Sequence, residues 1–189
     1  MPDPIDTQLN DARVAITNVQ ADPDLQAALD ARGVDAAEIA EGAALFEAAE
    51  AAQHLYVQEY AEQYEATDAL GKARAAAAEV YPDHVELARI VFRGDRAAQV
   101  ALGIDGRRRR TLAGWLQQAQ RFYTNALADA DLQARLERRR VTPEELAEGS
   151  ALVAAVARAD ADQEREKGEA QQAREDRDEA LDALDDWMD

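Results

Sequence analysis

Arginine is the residue of this sequence best suited to chemistry, and its guanidinium groups concentrate in one segment. Nine of the 19 arginines lie between Gly106 and Val141, where only three acidic residues occur, so the segment carries a charge of +6. Two runs account for most of it, 107–110 and 138–140. A planar guanidinium donates two parallel hydrogen bonds to a phosphate or a carboxylate. We therefore predict an anion-binding patch formed by Arg107, Arg108, Arg109, Arg110, Arg138, Arg139 and Arg140.

The same arginines also have a structural interpretation. They would then pair with acidic side chains of long helices, and those at 138–140 would stabilise the C-terminal end of a short helix through its dipole. Trp115, Phe122 and Tyr123 could stack on nucleic-acid bases, but apolar spacing assigns Trp115 and Tyr123 to a buried face. Outside the basic segment the chain carries a charge of −24. Its repulsion opposes nucleic acid as a partner.

Other kinds of site lack the residues they need. The chain has no Cys, which excludes a thiol nucleophile and a thiolate zinc site, and only His54 and His84, too few for a histidine-rich metal centre. Neither His follows a Glu by three residues, as a di-iron carboxylate bundle requires. We therefore predict no catalytic residue, no cofactor and no metal, hence no enzyme. Glu47, Glu50 and His54 share a helical face as a weak cation candidate, with a solvated polar face as the alternative.

Three tyrosines form a second regular pattern. Tyr56, Tyr60 and Tyr64 recur every four residues, so they would lie on one face of a helix. Such a stripe predicts core packing, and contact with a ligand in a groove is the alternative.

Composition places these residues in an acidic, alanine-rich chain. There are 39 acidic against 21 basic side chains, a net charge of −18, and 44 Ala within an apolar fraction of 47%. No apolar run is long enough to cross a membrane, so we predict a cytoplasmic protein without membrane contact. The acid excess predicts a salt-rich cytoplasm and a halophilic protein. A GC-rich genome would explain the preference for Arg over Lys but not the acid excess.

An internal repeat organises the chain. Residues 24–48, DLQAALDARGVDAAEIAEGAALFEA, align without a gap on residues 131–155, DLQARLERRRVTPEELAEGSALVAA, at an offset of 107 with 14 of 25 identities. This self-similarity predicts two tandem helical bundles, a first repeat at 1–105 and a second, incomplete repeat at 106–189.

In each repeat, we expect a long helix to begin at a capping box. Asp35 with Glu38, and Thr142 with Glu145, have the spacing in which the cap and the third helical residue satisfy each other's backbone amides. We predict long helices over 36–80 and 143–188, a break at 67–71 being the alternative in the first. Shorter helices are predicted at 25–32, 132–139 and 97–102, with one after Pro82. The fold class is therefore all-α. Residues 158–179 carry no large apolar side chain, which predicts exposure or a polar partner.

The second repeat lacks the residues that match 83–104 of the first. An apolar stripe at its end would thus lose its covering helix, so we expect a longer protein, packing back within the chain, or a second chain on it. This stripe is a candidate interaction surface formed by Leu181, Leu184, Trp187 and Met188.

Two segments carry a family resemblance. GWLQQAQRFY at 114–123 and KGEAQQAREDRDEALDALDDWM at 167–188 resemble uncharacterised bacterial proteins built from a duplicated helical unit. The resemblance covers mainly the second repeat. It implies a tandem helical fold, but it implies no activity, cofactor or catalytic residue.

These observations favour two functions. The first is a non-enzymatic helical scaffold or interaction protein that forms a homodimer or binds another helical protein through the stripe. The alternative is an arginine-patch binding module for an anionic ligand, either nucleic acid or an acidic protein segment.

Overall fold

The chain folds into α-helices joined by short loops. The computed structural model describes residues 4–188, and within them no strand occurs, so the all-α prediction is confirmed. The helices are α1 (Pro4–Ala21), α2 (Pro23–Asp30), α3 (Ala36–Val91), α4 (Arg96–Leu102), α5 (Leu112–Ala128), α6 (Ala130–Glu137) and α7 (Pro143–Met188).

Both predicted capping boxes are confirmed. At the start of α3, Asp35 accepts from the amides of Ala37 and Glu38 at 2.8 and 3.0 Å, and Glu38 accepts from the amide of Asp35 at 3.3 Å. At the start of α7, Glu145 accepts from the amide of Thr142 at 2.8 Å, and the Thr142 hydroxyl accepts from the amide of Glu145 at 3.2 Å. Each box satisfies amides that have no partner within the helix.

The loops before α3 and α7 share further local geometry. Gly33 and Arg140, at equivalent positions of the aligned segments, both have positive φ, 97° and 64°. The side chains of Asp22 and Asp129 cap α2 and α6 in the same way. The tandem repeat as a whole stays a prediction.

Pro82 does not end the first long helix. α3 runs without a break from Ala36 to Val91, so the predicted end at 80, the separate helix after Pro82 and the alternative break at 67–71 are wrong. A proline inside a helix costs about 3 kcal/mol because it removes one hydrogen bond. Burial of the neighbouring side chains Tyr81, Ala88 and Phe92 in a hydrophobic core offsets this cost.

The helices group into two compact units. Unit 1 comprises Met1–Gln63 and Glu166–Asp189, of which 4–63 and 166–188 are described, and unit 2 comprises Tyr64–Arg165. The helices α3 and α7 therefore contribute residues to both units. This grouping does not coincide with the predicted boundary between residues 105 and 106.

In unit 1 the end of α7 packs against α1 and α3. Leu181 and Leu184 are buried with Ala12 and Ala49. The side-chain amide Nε2 of Gln8 on α1 also donates to the backbone carbonyl of Leu181 at 3.2 Å. The helix that covers the end of α7 is thus α1 of the same chain.

The middle of α7 is also buried along one side, contrary to the sequence prediction. Glu166, Ala170, Ala173 and Arg177 are all less than 10% exposed. Their spacing of four, three and four residues places them on one helical face. The prediction failed because it counted only large apolar side chains, whereas alanines allow close approach and an arginine can pack along its aliphatic stem.

The core of unit 2 is larger and more aromatic. Residues from α3, α4, α5, α6 and α7 contribute to it. Its largest fully buried side chains are Tyr123, Phe92, Phe122, Leu102, Leu136, Leu146, Val141, Val153 and Val156.

Candidate anion-binding site

The first arginine run lies in the loop between α4 and α5, and side chains from two helices fix that loop. Arg89 of α3 donates from Nε to the carbonyl of Ile104 at 3.3 Å and from Nη2 to the carbonyl of Gly106 at 2.9 Å. These bonds hold the chain immediately before the arginine run.

Gln118 of α5 holds the loop from the other side. Its Nε2 donates to the carbonyl of Gly103 at 2.9 Å, and its Oε1 accepts from the backbone amide of Arg109 at 3.0 Å. The side chains of Arg89 and Gln118 therefore form their hydrogen bonds with the backbone of this loop. The guanidinium groups of the run stay exposed at the surface.

These exposed arginines surround a cavity of about 680 Å³ in unit 2. Arg74 also lines it from α3, so five arginines surround one space. No carboxylate is among the described residues that line it, which makes the cavity strongly positive in an acidic protein. Its lining residues are Arg74, Ala75, Ala78, Arg107, Arg108, Arg109, Arg110, Leu112 and Trp115.

The N-terminus of α5 adds to this positive charge. The helix begins at Leu112, directly after the run, and Thr111 caps it by accepting from the amide of Gly114 at 3.3 Å. A helix of 17 residues has a partial positive charge at its first turn, where anions are stabilised.

Trp115, in the first turns of α5, carries a buried donor that lacks an acceptor. The residue lines the cavity and is only 7% exposed. No acceptor within residues 4–188 contacts its indole Nε1–H. A buried donor left without a partner costs about 1–3 kcal/mol.

An aromatic cluster in the core of unit 2 packs against Trp115. Tyr81 packs edge-on against its ring at a centroid distance of 5.8 Å and lies 6.0 Å from the ring of Tyr123. Tyr123 in turn hydrogen-bonds to Nδ1 of His84 at 3.1 Å. Burial raises the pKa of Tyr81 to about 12, although Arg108 and Arg89 oppose the rise.

His84 and Tyr123 form the deeper part of this cluster. Burial lowers the pKa of His84 below 6.5, against the opposing effect of Glu145, Asp83 and Glu148. Burial likewise raises the pKa of Tyr123 well above its ordinary value. Both side chains are therefore neutral near pH 7, as a buried hydrogen-bonded pair requires.

The second arginine run does not belong to this cavity. Arg138, Arg139 and Arg140 follow the last residue of α6 and are exposed, and none of them lines the space around Trp115. The predicted single patch of seven arginines is therefore reduced to its first four members, joined by Arg74. At the end of α6 the second run sits where the helix dipole favours positive charge.

Other arginines of the basic segment have structural partners. Arg135 forms an ion pair with Asp95 at 2.8 Å and stacks on the ring of Phe92 at 4.5 Å. Arg121 donates to the carbonyls of Ala101 and Val100 at the end of α4.

The predicted interaction stripe is largely not a surface. Leu181 and Leu184 are 6% and 0% exposed, because α1 covers them. Trp187 packs so closely on Gly42 that a Cβ at that glycine would overlap its indole. Met188 is 40% exposed and is the most accessible member of the stripe.

The structure brings together a carboxylate cluster that the sequence did not indicate. Oxygen atoms of Glu59, Glu166 and Glu169 in unit 1 lie within 4.8 Å of one another. The predicted cation candidate, Glu47 with Glu50 and His54, does not form such a group among the described residues. Helical spacing within α3 could not find the observed cluster, because α7 supplies two of its members.

The tyrosine stripe is only partly packed. Tyr60 and Tyr64 are 43% and 58% exposed, so core packing is wrong for these two. Tyr56 stacks on Tyr60 at 5.6 Å and carries the guanidinium of Arg177 over its ring at 4.2 Å.

Comparisons with protein-family models, curated proteins and solved structures find no match to this chain. The resemblance to bacterial duplicated helical proteins therefore stays a prediction. Across residues 4–188, no helix combines the length and the apolar character needed to cross a membrane.

Proposed function

We propose that this protein is a non-enzymatic binding module for a multiply charged anion, which it holds in the cavity of Arg74 and Arg107–Arg110. One observation carries the proposal. Five arginines and Trp115 line a single cavity, and no carboxylate is among the described residues that line it. Phosphate and carboxylate oxygens are the acceptors that fit such a set of donors.

The number of arginines favours a ligand with more than one negative charge. Five like charges around one cavity repel each other, and a multivalent anion relieves this repulsion more than a monovalent one does. A salt-rich cytoplasm, which the acid excess predicts, would screen long-range attraction and leave the direct hydrogen bonds.

Self-association through the end of α7 loses its main support. The scaffold function was inferred from an uncovered apolar stripe, but Leu181 and Leu184 are buried within unit 1. A homodimer or a complex with another helical protein stays a prediction, which sedimentation at micromolar concentration tests.

Calorimetric titration with inorganic pyrophosphate tests the anion-binding proposal. Replacing Arg107–Arg110 together with Gln should weaken binding at least 100-fold, since each charged hydrogen bond contributes about 1.5–3 kcal/mol. The matched control replaces Arg138–Arg140 with Gln, which removes exposed arginines outside the cavity. It should change the affinity by less than about threefold, the effect of long-range attraction alone.

A third variant tests the role of the indole. Trp115→Phe keeps an aromatic ring in the cavity wall and removes only the buried Nε1–H, so pyrophosphate affinity should stay close to that of the wild type. Circular dichroism melting confirms that each variant is folded. Equal losses of affinity in the two arginine variants would show nonspecific attraction to positive charge, and the proposal would be wrong.

A further inference from the structure

A second cavity adjoins the arginine cavity and shares one of its residues. Arg108 lines both spaces, and the second has a volume of about 420 Å³. Its other walls are Tyr81, Pro82, Val85 and Glu86 of α3, with Arg89 and Gln118. Both volumes lie in the range of small-molecule sites in proteins.

The second cavity differs from the first because a carboxylate, that of Glu86, is among its lining residues. Arg89 and Gln118 already bind backbone carbonyls of the loop. Glu86 is exposed, and its carboxylate has no hydrogen-bond or ion-pair partner among the described residues. A carboxylate repels phosphate but accepts hydrogen bonds from hydroxyl and amino groups.

We infer that the ligand is an organic diphosphate whose phosphates lie among the five arginines and whose hydroxyl- or amino-bearing group extends past Arg108 towards Glu86. The inference rests on the proposed anion-binding function and specifies its ligand. Pro82 and Val85, which are partly exposed, provide apolar surface for the organic group, and the Glu86 carboxylate selects a donor on it. A nucleoside diphosphate has this combination of groups.

The position of Glu86 argues against a nucleic-acid strand. Phosphates follow one another along such a strand, so a strand continuing from the arginine cavity past Arg108 would bring a phosphate next to Glu86. The carboxylate would then oppose binding, whereas it contributes to binding of a single organic diphosphate.

Calorimetric titrations of the full chain with inorganic pyrophosphate, ADP and a 20-nucleotide oligothymidylate test this inference. ADP should bind about tenfold more tightly than pyrophosphate, because a hydrogen bond to a charged acceptor is added. Glu86→Gln should remove most of this preference while leaving pyrophosphate affinity unchanged or slightly higher. Glu79→Gln is the matched control, since Glu79 is exposed on α3 and lines neither cavity, and it should behave as the wild type.

The outcomes separate the inference from the function on which it depends. Equal affinities for ADP and pyrophosphate, or equal effects of Glu86→Gln on both, would overturn the organic diphosphate and leave the anion site in place. Failure of both ligands to bind would overturn the proposed function itself. Oligothymidylate that binds at least tenfold more tightly than ADP, with no effect of Glu86→Gln, would identify a nucleic-acid site and contradict the inference.

Discussion

Gly149 on α7 controls the packing of Tyr123, which supports the wall of the arginine cavity. A Cβ at position 149 would lie only 2.5 Å from Cζ of Tyr123, and Tyr123 is fully buried. The phenol therefore has to move in a Gly149→Ala variant. Its movement breaks the hydrogen bond to His84 and disturbs the contact with Tyr81.

The structure sets the size of this effect. Overpacking a tight core costs about 1–3 kcal/mol, and loss of the hydrogen bond to His84 adds about 0.5–1.5 kcal/mol. Alanine has a higher helix propensity than glycine, which raises the free energy of unfolding by about 1 kcal/mol. Together, these contributions should lower the free energy of unfolding of Gly149→Ala by about 0.5–3.5 kcal/mol.

Gly168 on the same helix provides the control. A Cβ there meets nothing within 4 Å, so Gly168→Ala keeps only the helical gain and should stabilise by about 0.5–1 kcal/mol. Urea denaturation followed by circular dichroism measures both variants. If Gly149→Ala were as stable as Gly168→Ala, the packing of Tyr123 on α7 described above would be refuted.

Three further predictions test other parts of the structure. Leu184→Ala should lower the free energy of unfolding by about 2–5 kcal/mol without changing the sedimentation coefficient. Met188→Ala should change the free energy of unfolding by less than about 0.5 kcal/mol. If either variant changed the sedimentation coefficient while its stability stayed the same, the end of α7 would be an interaction surface. Because the pKa of folded His84 lies below 6.5, the unfolded chain takes up the proton first, so the stability contribution of neutral His84 is complete above pH 6.5 and decreases as the pH falls from there towards the folded pKa. Urea titrations at pH 7.5 and 6.0 should show a smaller pH effect in His84→Gln, and an identical effect would contradict the buried neutral state. Asp35→Ala and Thr142→Ala should each cost about 1 kcal/mol in the same assay, and no loss would contradict the capping boxes.

Local features of the fold were predictable because neighbouring residues determine them. The capping boxes at Asp35 and Thr142 depend on side chains three residues away, and the sequence places both correctly. The predicted helix end before Pro82 is wrong because distant residues determine the outcome there. The cost of the proline is local, but the burial of Tyr81 and Phe92 that offsets it depends on helices that follow later in the chain.

The candidate site shows the same limit. The run Arg107–Arg110 is evident in the sequence, but its fifth partner, Arg74, lies on α3 and only the tertiary structure brings it there. The unpartnered donor of Trp115 is an atomic detail that no pattern of residue types reveals. The sequence likewise left open what covers the stripe at the end of α7, because the helix that covers it is α1, at the opposite end of the described chain.

The most direct test of the anion site follows the two indole N–H signals in an ¹H–¹⁵N correlation spectrum during titration with pyrophosphate. The chain has two tryptophans, so Trp187 in unit 1 serves as an internal control, and Trp115→Phe assigns the signals. We predict a saturable shift of the Trp115 signal, because its side chain lines the cavity in which the anion binds, while the Trp187 signal stays in place. A Trp115 signal that does not move, or two signals that move equally, would contradict anion binding in the arginine cavity.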